Sequence, residues 1–421
     1  MTKKKIVSTA MAWLFCYGLM AQNVTLTLAQ ADSLFRQRNL EVIAARCNIS
    51  MADADAAQAR LWANPVVSIQ ENVYNKFSHR YFDFGKTSEQ VVNVDQLIYI
   101  CGQHSRAVAA ARLAGEQARR EFAELLRGMH GRLAETFIRL YFAQHNLHVY
   151  TNEIGSLRTL LAALQQQERK GNISQIETAR IQALLLALRQ EQEEQLRNEN
   201  ELEGQLRLFI AMPADSHIKA VVNVAGLDNL ASSSANKALI DSCAAQRSDV
   251  LLAQTGVSLA DARIKVEQAK AAPEVHINGQ YDRNGGYFPQ YFAVGVTLSV
   301  PVFNRNQGAI RRAKAAAEQS RSLYAATVEK AQTEVQVART NLDRALSLCA
   351  DVNRDFDRAD MDTLFNGVND NYRKRNISLL EFVDFYKTYK DAMLQASGVK
   401  ESAFLAIARL NTAAGQDIIA Y

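Results

Sequence analysis

Two periodicities divide this chain. Between Gly102 and about Glu168, apolar residues recur at 133, 137, 140, 147, 150, 154, 157, 161 and 164, and no Pro interrupts them. That three-four spacing predicts one helix of roughly 65 residues, about 100 Å long at 1.5 Å per residue, with a coiled-coil-type seam. Thr27–Phe35 predicts a short amphipathic helix, and Leu40–Trp62 a second that Asn64-Pro65 closes. A return helix is predicted over Gln175–Met212. Elsewhere the period is two. Val67, Ile69 and Val73 alternate with polar neighbours, as do Val92, Val94 and Ile98, then Val275, Ile277 and Tyr281, and finally Val294, Val296, Leu298, Val300 and Val302. These stretches predict four half-apolar strands, at about 65–76, 89–100, 273–283 and 290–303, paired as two hairpins.

The pattern occurs twice. Lys170-Gly171-Asn172-Ile173-Ser174 and Lys374-Arg375-Asn376-Ile377-Ser378 each break a helical run and restart another, at an offset of 204 residues. Each Ser stands three residues before a carboxylate, Glu177 or Glu381, which predicts a capping box at both turns. Ser50-Met-Ala-Asp-Ala54 corresponds to Ser258-Leu-Ala-Asp-Ala262, and Pro65 to Pro273, at an offset of 208. The change of offset falls between hairpin strands, where length variation is cheapest. The organisation expected is a first repeat over 22–212, a polar linker over 213–234 and a second repeat over 235–421.

The chain has 421 residues, 48 % apolar, only five Pro and a formal net charge of +4. Such near-neutrality gives no case for a nucleic-acid partner. Lys3-Lys4-Lys5 followed by an apolar run to Met20 reads as a signal peptide over 1–21, cut after Ala21. Cys16 leaves a lipoprotein alternative open, although Phe15 is bulky where a lipobox needs a small residue. No later run approaches the ~18 apolar residues of a membrane-spanning helix. Cys47, Cys101, Cys243 and Cys349 fit no metal or redox spacing and read as unpaired thiols, with one disulfide left open.

Four strands of about 10 residues have the length that crosses a bilayer as a tilted barrel, yet they are too few to close one. An open edge invites pairing with another chain. Aromatics gather at the strand ends (Tyr74, Phe77, Tyr281, Phe288, Tyr291, Phe292, and opposite them Tyr99 and Phe303), as at a membrane interface. Several copies must therefore pool their strands. The alternative is a small soluble β-domain joined to coiled coils.

The duplicated order of helix, two strands, long helix, turn and helix resembles the TolC family of outer-membrane efflux proteins over essentially the whole mature chain. The likeness is carried by Ser299-Val-Pro301-Val-Phe303-Asn-Arg-Asn-Gln-Gly308 at a strand-to-helix junction, by its counterpart Gln96-Leu-Ile-Tyr-Ile-Cys-Gly-Gln103, and by the two Asn-Ile-Ser turns. It implies a mainly α fold with a membrane β-barrel portion, closing as a trimer with a 12-strand barrel and a 12-helix α-barrel. The implied partners are a periplasmic adaptor, an inner-membrane pump of the resistance-nodulation-division type, and outer-membrane lipid. The junction wording is similar to the metal-cation branch of the family, from which the first repeat departs by Leu97 where Pro301 stands. The resemblance also places Glu177, Glu381 and Asp384 at a constriction. Read from the residues alone, the two Glu complete helix caps and Asp384 is solvated.

No phosphate-cradling loop, nucleophile elbow or His-Glu-x-x-His is present. His145 and His148 could share a helix face, but no carboxylate or thiol nearby completes a metal site. The chain reads as a duct without cofactor or catalytic group, not an enzyme. A secretion duct of the same fold for polypeptides, an envelope-spanning coiled-coil protein, and a periplasmic adaptor with a single helical hairpin are the other readings.

Overall fold

The computed structural model describes residues 23–85, 87–224, 243–284, 288–355 and 358–419. The expected signal peptide with Cys16, and residues 225–234 of the expected linker, lie outside them. The chain forms two compact units, each assembled from separate stretches.

One unit, residues 45–124 and 248–330, holds a four-stranded antiparallel sheet. Its strands are β2 (Val66–Glu71), β5 (Gln90–Ile98), β7 (Glu274–Asp282) and β8 (Tyr291–Ser299), in the order β2-β5-β7-β8. The register aligns Val67, Val94, Gly279 and Val294 in one row across the sheet, and pairs Ile277 with Val296. Because side chains alternate between faces, this gathers the apolar residues on one side. Ser68, Asn93, Gln280 and Ala293 form a row on the other. The apolar face is bare: Ile69, Val296 and Leu298 are exposed, and Val294 is 85 % exposed.

The first strand is shorter than its alternation predicts. It ends at Glu71, and β3 (Tyr74–Asn75) then pairs back on β4 (Arg80–Tyr81). The cause is Asn75, buried in the loop, whose Oδ1 accepts from Phe77 N–H at 2.9 Å and whose amide reaches Asp83 and Thr87. An Asn bonded to the backbone two residues on replaces the ladder with a turn. The fourth strand also stops early, at Ser299. Pro301 carries no N–H for the ladder, and Phe303 beyond it is almost fully exposed.

Helices α2 (Leu40–Gln58), α3 (Gln103–Arg169), α5 (Ser248–Ala269) and α6 (Gln307–Asp355) all contribute to this unit. Arg119 binds Asp53 at 2.5 Å, joining α3 to α2, and Arg321 binds Asp261 at 2.7 Å, joining α6 to α5. Asp53 and Asp261 are separated by the 208-residue offset seen in the sequence. At the α6 junction, Asn306 takes a left-handed φ of 55° and its amide bonds the carbonyl and carboxylate of Glu267. Gly308 has no close neighbour that a Cβ would meet, so the turn here is made by Asn306 and not by the glycine.

The other unit, residues 1–44, 125–247 and 331–421, is helical around one short parallel pair, β1 (Asn23–Thr27) with β6 (His217–Val221). Its helices are α1 (Leu28–Arg38), α4 (Gln175–Ile210), α7 (Arg358–Arg373), α8 (Leu379–Ala414) and parts of α2, α3 and α6. The seam expected on α3 is buried: Leu133, Phe137, Leu140, Tyr150, Ile154, Leu157 and Leu164 all lie in the core. The C-terminal segment is locked by Asn411, whose Oδ1 accepts from the N–H groups of Ile418 and Ile419. Arg247 is fully buried beside it, bonded to the Ala413 carbonyl and to Glu334 at 2.8 Å. Among the described residues the cysteines form no disulfide, and no helix is long and apolar enough to cross a membrane.

Candidate functional site

The two Asn-Ile-Ser turns meet. Leu160, Leu164, Ile181, Leu185, Tyr372, Leu379, Phe382 and Tyr386, from α3, α4, α7 and α8, form one core cluster, and both Ile173 and Ile377 pack on it. The Arg375 guanidinium of the second turn donates to the Asn172 carbonyl of the first at 3.0 Å.

Each turn is built from equivalent parts. Gly171, with φ +73°, closes α3, and its N–H bonds the Glu168 carbonyl. Arg375 occupies the matching place with φ 63°, a backbone that costs a side-chain-bearing residue about 1 kcal/mol or more. Asn172 Nδ2 reaches Gln167 Oε1 at 2.8 Å, and Asn376 Nδ2 reaches Asn371 Oδ1 at 3.1 Å. Each Asn thus ties the turn to the residue five positions earlier. Lys170 and Lys374, at the ends of the preceding helices, are exposed.

The capping boxes differ. Ser378 and Glu381 form a complete one: the Ser378 N–H donates to Glu381 Oε2 at 2.7 Å, and Glu381 N–H returns to the Ser378 hydroxyl. Ser174 instead accepts from Ile176 N–H at 3.2 Å. Glu177 closes no box, contrary to the sequence expectation. Its charge acts on Tyr372. That phenol stacks on Phe382 with ring centroids 4.7 Å apart and has no hydrogen-bond partner among the described residues. Burial first, and Glu177 second, push the Tyr372 hydroxyl up to about 12, with Arg375 opposing.

Glu381 is exposed, and the Ser378 N–H and hydroxyl hold its carboxyl below the usual range. Asp384 is exposed one helical turn on, and its carboxylate makes no hydrogen bond or ion pair among the described residues; Thr388 bonds only its carbonyl. The side chain of Arg373 lies outside the described residues. Deeper in the helices, Tyr386 donates to the Glu153 carbonyl, and Lys390 pairs with Glu191 at 2.6 Å. What the sequence did not single out here is this supporting layer of Tyr372, Tyr386 and Lys390; its only signal was aromatic residues at helical spacing.

His145 is half-buried and stacks on Tyr141, while His148 is exposed. Among the described residues no group of three ligating side chains could hold a metal ion. The site is one of exposed charge over a tightly packed turn.

Residues 239–416 match the family described as outer membrane efflux protein. Over that stretch the chain is similar to outer-membrane efflux proteins of the TolC-like kind. It is 26 % identical over 285 residues to the nickel-cobalt-cadmium resistance protein NccC of Alcaligenes xylosoxydans xylosoxydans, a match over 65 % of this chain and 61 % of that one. It is 22 % identical to the pyoverdine export outer membrane protein OpmQ of Pseudomonas putida, over 68 % and 62 % of the two chains. These matches span less than two thirds of either relative's own length. Its fold is that of the channel CusC, with a TM-score of 0.76 at 16 % identity over 96 % of both chains. The matched family and the similar solved structures are efflux channels, which are not enzymes.

Proposed function

We propose that this protein is the outer-membrane exit duct of a tripartite efflux system, conducting substrate passively from an inner-membrane pump and a periplasmic adaptor. The supporting observation is the sheet: four strands with a bare apolar face, a polar opposite face and, among the described residues, two unpaired edges, β2 and β8. A water-exposed surface of that kind is unfavourable, whereas lipid covers the apolar face and neighbouring copies satisfy the edges. Three copies supply 12 strands for a barrel and 12 helical segments for an α-barrel. In this reading residues 22–212 and 235–421 are duplicated halves, joined by a linker and preceded by a signal peptide. The chain lies in the outer membrane with its helices in the periplasm.

The paired turns are the periplasmic end of the duct, and Glu177, Glu381 and Asp384 its gate residues. The pump is of the resistance-nodulation-division type. Similarity to a nickel-cobalt-cadmium resistance protein supports divalent metal cations as cargo, and similarity to a pyoverdine export protein supports a small organic chelator. Mass measurement of the purified protein in mild detergent tests the architecture. A trimer in the outer-membrane fraction is expected. A stable monomer, or soluble periplasmic material, would remove it.

A further inference from the structure

Among the described residues, the polar face of the sheet carries one ion pair. His276 on β7 faces Leu97 and Thr297 in the ladder, and Asp95 on β5 faces Asn278, so the two are diagonal neighbours. His276 Nδ1 lies 2.7 Å from Asp95 Oδ1, with 30 % and 27 % of the two side chains exposed. A carboxylate can only accept, so Nδ1 is the donor; in the neutral imidazole the lone pair then lies on Nε2. That second nitrogen has no partner among the described residues.

An imidazole that donates one N–H to a carboxylate, while the other nitrogen stands open, is the arrangement of metal-ligating histidines. The carboxylate fixes the tautomer and makes the free nitrogen a better donor. We propose that His276 Nε2 is a weak coordination site for borderline divalent cations of the zinc, nickel and cobalt class, with Asp95 as its positioning residue. The inference rests on the duct reading in one respect, that the polar face lines the lumen.

The surroundings explain why the site is weak. Across the ladder, the Asn278 amide is bonded to the Thr297 hydroxyl at 3.1 Å, so neither is poised as a second ligand. The other titratable groups on this face are Glu274 and Asp282 of β7 and Tyr291 of β8, which faces Asp282; the facing positions of β2 carry none. A 12-strand barrel is far too wide for three copies to share one ion. Each ion would then be held by one imidazole and water. Weak binding suits a conducting path, since an ion must also leave.

Single-channel recording of the purified full-length protein in planar bilayers tests this. Zinc or nickel should reversibly reduce the current, with recovery on adding a chelator and no effect of magnesium. The block should disappear in His276→Gln, yet persist in the His145→Gln, His148→Gln double variant. Asp95→Asn should weaken it by about 10- to 100-fold. Channels that open normally but show no such block, or a block unchanged in His276→Gln, overturn the site and leave the duct standing. If no channel forms, the duct reading falls, and the site is read in detergent by cobalt(II) broadening of isotope-labelled histidine signals. Absence of broadening at His276 overturns it there too.

Discussion

His130 stands between two carboxylates, with Nδ1 2.7 Å from Asp32 and Nε2 3.5 Å from Asp417. Asp32 also accepts from Arg36 at 2.7 Å, so this one imidazole ties α1 and the C-terminal segment to α3. The hydrogen bond to Asp32 raises the imidazole above its ordinary value, against the opposing effect of burial. Burial also opposes ionisation of Asp32, but His130 and Arg36 together bring its carboxyl below the usual range. A raised histidine stabilises fully below its unfolded value of about 6.5, and the contribution is lost as pH rises through the folded value. A lowered carboxylate stabilises above its unfolded value of about 3.9, and that contribution is lost as pH falls through the folded one. The pair therefore contributes most between these limits. Thermal melts of wild type and His130→Gln should differ most near pH 5 (roughly the middle of that window), and the gap should shrink on the alkaline side. A gap independent of pH would show that His130 acts by packing alone.

At the scale of elements, the sheet presents the sharpest contrast. Val296 is exposed on the apolar face, while its neighbour Thr297 accepts from Asn278 on the polar face. In a barrel, Val296→Arg should cost about 2–4 kcal/mol near the bilayer midplane and impair assembly. Thr297→Arg should assemble and change conductance. Trimer yield on gels and bilayer currents check both, and equal tolerance at the two positions would mean that the proposed lipid face is wrong. These strands were legible because alternation reports directly which face is wet. Their ends were not, since Asn75 replaced ladder bonds with a turn that only its packed neighbours reveal. The α3 seam was legible for the same reason as the strands. Among the site residues, Asn172 and Asn376 could be read as turn formers. The left-handed backbone of Arg375 could not, for an arginine gives no sign of it. Nor could the burial of Arg247, whose partners Glu334 and Ala413 are distant in sequence.

At the scale of the whole assembly, the open question is what the turns do with their charge. The Ser378 N–H and hydroxyl keep Glu381 ionised more readily than a free carboxylate, and the group is nevertheless exposed. Asp384 is exposed as well, without a side-chain partner among the described residues. Three copies of both, gathered where a duct narrows, would focus a negative field and favour cations. The competing reading is that Glu381 only caps α8 and Asp384 is only solvated. Glu381→Gln separates the two, because glutamine still completes a capping box while removing the charge. With Asp384→Asn added, the turn should keep its fold, and the Arg375 bond to Asn172 should be untouched. We expect the double variant to assemble normally, to lose cation selectivity in bilayer recordings, and to be blocked less readily by multivalent cations. Reversal potentials in asymmetric salt give the selectivity directly. If selectivity and block stay as in the wild type, the charges do not line the conducting path, and the two carboxylates return to being a cap and a solvated surface group.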